Sequence, residues 1–151
     1  MRILGIDPGA SGAIVLMEDG QPIEWMLMPT MKVGSTTKVN ASALSSFIHE
    51  CDVKLARVEH VHSMPKQGVS SAFNFGHNCG VVEGVLGAFE VSVQLVTPQK
   101  WKKNAGLIGT DKDASRAKAI HLFPKWRALD KKGEGQALAD AALIALCGSQ
   151  S

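Results

Sequence analysis

Three carboxylates stand in apolar company in this chain, and few arrangements of strands and helices tolerate that. Asp7 ends the segment ILGID, Glu59 ends LARVE, and Asp140 is the only charged residue of GQALADAALIALC. An ionised carboxylate in such surroundings is costly to desolvate unless a cation or several hydrogen bonds compensate it. Two acids at strand ends and a third on a core-facing helix point to one shared cation, and oxygen-only ligands favour Mg²⁺ or Mn²⁺ over zinc. Taken singly, each acid has a plainer reading: an Asp before Pro8-Gly9 suits a turn, and a lone helical Asp can face water. Together they point to metal-dependent phosphate chemistry.

The pattern around these acids predicts a mixed α/β sheet with helices on both faces. RILGID, ASGAIVLME and QPIEWMLMP read as three antiparallel strands, punctuated by Pro8-Gly9 and Asp19-Gly20. Residues 31–39 are polar and read as a loop. Asn40 caps a helix with Leu44, Phe47 and Ile48 on one face. Residues 54–60 and 91–96 read as the fourth and fifth strands. Residues 69–89 form a long helix, and 97–103, 112–122 and 135–147 form shorter ones. Interior glycines cost about 0.8–1 kcal/mol each against alanine, so Gly76, Gly80, Gly84 and Gly87, all on one stripe of the long helix, predict close approach of either a sheet or a partner helix along that stripe. With 151 residues, 45% of them apolar and 20% charged, the expectation is one globular domain spanning 1–151. No run approaches the ~18 apolar residues of a membrane span, and MRILGIDPGA has no signal-peptide core, so the expected place is the cytoplasm, without membrane partners.

The formal net charge of +2 hides an uneven distribution. Residues 1–96 hold six Lys/Arg against nine Asp/Glu, whereas residues 97–132 hold ten against three (Asp111, Asp113 and Asp130). That block interleaves Trp101 and Trp126 with Lys100, Lys102, Lys103, Lys112, Arg116, Lys118, Lys125, Arg127, Lys131 and Lys132, a composition suited to a polyanion with bases to stack on. A solvated charge-rich face is the alternative. Cys51, Cys79 and Cys147 show no metal or disulfide spacing and read as small core or partly buried thiols.

The segment GIDPGASGAIVL is the kind of strand, acid and glycine turn found both in actin-like ATPases and in RNase H-like nucleases. The ATPase reading requires a second such hairpin in a second domain, which the chain lacks, so no nucleotide cofactor is expected. Together with RVEHVHSMPKQGVSSAFNFGHNCG, VTPQKWKK, GTDKDASRAKAIHLFP and ADAALIALCG, in that order, the hairpin resembles RuvC-type Holliday-junction resolvases. The likeness is nearest to the phage and organellar branch, in which Pro-Gln-x-Gly-x-x-Ser and Trp-Lys-Lys segments recur.

That resemblance implies an RNase H-like mixed five-stranded sheet, a homodimer in a bacterial or phage-infected cell, and paired cuts in a four-way DNA junction using two Mg²⁺ ions per site, with Mn²⁺ as a substitute. Asp7, Glu59 and Asp140 match its three metal-holding acids. The fourth such residue usually precedes the last Asp by three or four positions. Ala137 and Gln136 stand there. Glu134 lies six residues upstream, ~120° off the face of Asp140 on a continuous helix; it takes the fourth place if Leu138 and Ala139 are an insertion, Gln136 is the rival ligand, and a junction binder without cutting activity is the third possibility. Lys112 and Ser115 match a Lys-x-x-Ser pattern that places Lys112 near the scissile phosphate. The implied DNA contacts are Lys66, Gln67, Ser70, Ser71, Lys100, Lys102, Lys103, Lys112, Ser115, Arg116, Lys131 and Lys132. Pro65 flanks the same segment, and the Gly76–Gly87 helix is the candidate dimer contact. His60 and His62 alternate away from the Glu59 face and suit a junction or surface role; His77 and His121 read as structural. Phe73 and Phe75 suit either a base wedge or a core or dimer contact. An RNase H-like nuclease acting on flaps, other branched DNA or RNA–DNA hybrids is the competing activity, and a nucleotide-dependent phosphotransferase a distant one.

Overall fold

The computed structural model describes residues 1–148. Strands β1 (Arg2–Asp7), β2 (Ala13–Glu18) and β3 (Gln21–Leu27) form the expected antiparallel meander. The β2–β3 turn places both Asp19 and Gly20 in the left-handed region, φ 51° and 79°, the two-residue geometry that follows the twist of the flanking strands. Next come β4 (Thr30–Val33), β5 (Thr36–Val39), α1 (Ala41–Cys51), β6 (Leu55–Glu59), α2 (Val69–Ala88), β7 (Ser92–Val96), α3 (Pro98–Ala105), α4 (Ala114–Leu122), a 3-10 turn (Arg127–Asp130) and α5 (Lys132–Leu146). The main sheet runs β3-β2-β1-β6-β7, with β1, β6 and β7 mutually parallel. This is the mixed five-stranded RNase H-like sheet. No helix among the described residues is long and apolar enough to cross a membrane.

Both faces of the sheet are covered because its central strands are apolar throughout. Leu4, Ile6, Ile14 and Leu16 pack on Leu44 and Ile48 of α1 and on Val82 and Leu86 of α2. Ile3, Val15 and Met17 meet the alanine-rich flank of α5 on the other side. Asn40 caps α1 as its sequence suggests, its Oδ1 accepting from the Ala43 amide at 3.1 Å. Cys51 and Cys147 are buried, Cys79 is half-buried, and all three are free thiols.

Four expectations change. Residues 31–39 are not an open loop: β4 and β5 pair as a small hairpin turning at Gly34, φ 63°. Its strands bury little of their own, so no alternation marks them. Two asparagines of α2 hold the hairpin instead: the Val39 amide donates to Asn78 Oδ1 at 3.0 Å, while Asn74 Nδ2 donates to the Thr37 carbonyl at 3.1 Å. Second, among the described residues the sheet does not approach the glycine stripe of α2, since a Cβ at Gly76, Gly80, Gly84 or Gly87 would meet nothing within 4 Å, which leaves the partner-helix alternative. The close approaches lie elsewhere, at Gly5, Gly12 and Gly135. Third, Trp101 and Trp126 are core residues, 2% and 6% exposed, and offer no faces to bases. Fourth, His77 and His121 sit in helices as expected, but both are exposed.

Candidate active site

Asp7 and Glu59 end the adjacent parallel strands β1 and β6, so the sheet brings two acids from distant parts of the chain to one edge of its C-terminal end. Asp140 arrives from α5. That helix runs unbroken through Leu138 and Ala139, both buried. It crosses β1 at Gly5 so closely that a Cβ there would lie 2.0 Å from the Ala141 carbonyl oxygen. The residue before Ala141 is Asp140.

Glu59 and Asp140 line one cleft of about 470 Å³ with Trp101, Lys102, Lys112, Ser115 and Gln136. Asp7 lines a second cleft of about 390 Å³ with Gln67, Ser71, Asn74 and Phe75. Burial, then the charges of Glu59 and Asp140, push the Asp7 carboxyl up to about 7. Burial also raises Glu59 and Asp140; Trp101 and Lys102 oppose the rise at Glu59, and Ser115, Gln136 and Lys102 oppose it at Asp140. Among the described residues no three Asp, Glu, His or Cys side chains close on a single point. Yet none of the ion pairs among those residues includes Asp7, Glu59 or Asp140. Three half-buried carboxylates that repel one another and have no ion-pair partner are a donor set suited to a hard divalent cation.

Gln136, four residues before Asp140, reaches the cleft. Its Nε2 donates to Asp140 Oδ1 at 3.3 Å and to Ser115 Oγ, and its carbonyl oxygen has no hydrogen bond among the described residues. Glu134 lies outside the cleft in the exposed first turn of α5, 3.9 Å from Lys131 Nζ. Glu134→Gln should therefore leave any activity of this site within about twofold of the parent, whereas Gln136→Ala, by freeing Asp140, should cost about 10–100-fold; initial-rate assays of the two variants side by side decide this.

The other expected residues fall into three groups. Lys102 and Lys112 line the main cleft, and Gln67 and Ser71 the second one. Lys66, Ser70, Lys100, Lys103, Lys131 and Lys132, like His60, His62 and Phe73, are exposed and line neither cleft. Ser115 is buried beneath Gln136, and the Arg116 guanidinium donates to the Leu129 and Asp130 carbonyls at 2.7 and 2.9 Å, fastening α4 to the 3-10 turn. The residue that sequence reasoning missed is Trp101. Its indole N–H donates to Glu59 Oε2 at 2.6 Å, a role that only the requirement of a buried carboxylate for a donor hinted at.

No family model matches the chain, and no curated protein matches it. Solved structures do. The chain aligns over 99% of its length, and over 92% of the other chain, with Thermus thermophilus RuvC in complex with a Holliday-junction substrate, at 19% identity and TM-score 0.69. A second T. thermophilus RuvC structure aligns over 99% of this chain and 93% of that one, at 16% identity and TM-score 0.62. With the order β3-β2-β1-β6-β7 and helices on both faces, the chain has the fold of the RuvC Holliday-junction resolvases.

Proposed function

We propose that this protein is a structure-selective, metal-dependent endonuclease that resolves four-way DNA junctions by paired, symmetric cuts. The observation that carries the reading is the meeting of Glu59 and Asp140 with Lys102 and Lys112 in one cleft, beside Asp7, at the end of a RuvC-type sheet. Asp7, Glu59 and Asp140 would hold Mg²⁺, or Mn²⁺ in its place, with the free carbonyl oxygen of Gln136 in the fourth position. Bound divalent ions supply Lewis-acid stabilisation to phosphodiester hydrolysis. Lys102 and Lys112, which line the same cleft, would bring cationic donors to the phosphate. Gln136 and Ser115 steady Asp140.

The exposed lysines of residues 97–132 hold the junction arms through phosphates, so affinity falls steeply with salt while carrying little base sequence information. Two symmetric incisions call for two sites related by a dyad, and the outward glycine stripe of α2 suits close approach of a second copy. The neutral Gln136 favours one second reading, a protein that binds junctions without cutting them.

The deciding experiment incubates the protein with a labelled mobile four-way junction, a duplex, a flap and an RNA–DNA hybrid, each with Mg²⁺, Mn²⁺ or EDTA. Paired nicks confined to the junction and abolished by EDTA are expected. Equal cutting of the flap or hybrid would make this an RNase H-like nuclease of other specificity. Tight junction binding without nicks under either metal would make it a binding protein.

A further inference from the structure

Trp101 sits at the meeting point of the sheet, α3 and α5, and does more there than fill space. Its ring is 2% exposed and packs in one apolar cluster with Val96, Leu143 and Ile144, so it has no room to turn. Its one polar atom, the indole N–H, donates to Glu59 Oε2 at 2.6 Å, and no other hydrogen bond reaches the Glu59 carboxylate among the described residues. Lys102 Nζ lies over the same ring, 5.6 Å from its centroid, and faces the cleft.

We infer that Trp101 is a positioning residue: it fixes the orientation of the Glu59 carboxylate toward a divalent ion while leaving its charge intact. A neutral donor has an advantage over a cation here. A lysine or arginine bonded to Glu59 would neutralise it and compete with the ion, whereas an indole N–H orients one oxygen and leaves the full negative charge available. An indole is donor-only, so it cannot reverse its role when the ion arrives. Its immobility sets the carboxylate geometry in advance of binding, and partners of this kind commonly change metal affinity or activity 10–100-fold. The inference rests on the reading of Glu59 as a metal ligand, and not on which nucleic acid is cut.

The test measures Mn²⁺ binding to the metal-free protein by titration calorimetry, with no nucleic acid present. Trp101→Phe keeps most of the ring and loses the donor. Replacing Trp101 with 3-benzothienylalanine keeps the bicyclic shape and the face beneath Lys102, and removes only the N–H. Both should weaken Mn²⁺ binding about tenfold with little change in melting temperature. In the Glu59→Gln background, neither replacement should weaken binding further, because the bond through which Trp101 acts has lost its charged acceptor. Parental affinity in the benzothienyl protein overturns the inference, as does an equal loss with and without Glu59, or a parent protein that binds no Mn²⁺. Should the coupled loss appear in a protein that cuts no junction, the positioning role stands and the junction-resolving reading falls.

Discussion

Asp7→Asn should abolish strand cutting and, in the absence of divalent ions, make the protein more stable. If Asp7 holds a hard ion as proposed, removing its carboxylate withdraws several kcal/mol of transition-state stabilisation, so the cutting rate should fall roughly a thousandfold or more, while junction binding through the lysines should persist. The stability change has its own sign. The folded state holds the Asp7 carboxyl at about 7 against an ordinary value of 3.8, so the folded chain binds this proton more tightly than the unfolded one. Below pH 4 both states are protonated and the residue is neutral in its effect. Between pH 4 and 7 the unfolded chain gives up the proton first, and the fold loses stability as pH rises; above 7 the loss is complete. An uncharged amide in place of the carboxyl carries no such penalty. In metal-free buffer at pH 8 the variant should be more stable by about 1–3 kcal/mol, a rise of about 3–10 °C in melting temperature, and the difference should vanish near pH 3.5. On the proposed metal-holding role of Asp7, added Mg²⁺ should reverse the ranking by binding the folded parent. Thermal melts across pH, with EDTA and with Mg²⁺, check this. Equal stability at pH 8 would mean that Asp7 is neither crowded nor desolvated, and undiminished cutting would remove it from the site.

Gly5→Ala should do the opposite and damage fold and site together. The added Cβ would lie 2.0 Å from the Ala141 carbonyl oxygen, 2.6 Å from Ala145 Cβ and 2.8 Å from the Ala145 amide nitrogen. Two of these are backbone atoms of α5, so no rotamer change relieves the clash. Either the helix backs away from β1 or the strand bends. Overpacking of this kind costs about 1–3 kcal/mol, and a backbone-to-backbone clash belongs at or beyond the upper end, so a fall of roughly 6–12 °C in melting temperature is expected. Asp140 moves with the helix. A misplacement of ~1 Å costs about a hundredfold in rate, so the fraction that remains folded should cut at about one-hundredth of the parental rate. Urea unfolding and single-turnover cutting at 20 °C separate the two effects. A variant with parental stability would show that the helix does not press on Gly5.

Most of the layout is legible in the residue pattern because it depends on local chemistry. Continuous apolar runs make β1 and β2 buried strands, Asp19-Gly20 makes the tight turn, and Asn40 caps α1. The three acids stand out for the same reason, since the cost of desolvating a carboxylate is visible wherever one interrupts an apolar segment. The β4–β5 hairpin is invisible by those criteria: it is short and polar, and it exists because Asn74 and Asn78, about forty residues downstream, supply its hydrogen bonds. The tryptophans misled for a related reason. Aromatic rings among lysines fit equally well a surface that stacks on bases and a core wall with lysines on its outer side, and only packing against Leu143 and Ile144 settled Trp101 as the second.

The site divides along the same line. That Asp7, Glu59 and Asp140 must find compensation follows from the sequence by itself, as do the two strand ends and the helix that bear them, because burial of charge is a local energetic problem with a local signature. Which residues answer it was decided by the tertiary structure. Helix α5 runs unbroken from Lys132, which sets Gln136 rather than Glu134 beside Asp140, and it settles against Gly5; α3 turns its Trp101 indole onto Glu59 and carries Lys102 to the cleft. The 2.6 Å bond from Trp101 to Glu59 depends on where backbones meet, and no spacing along a chain specifies that meeting until the sheet and its helices are packed.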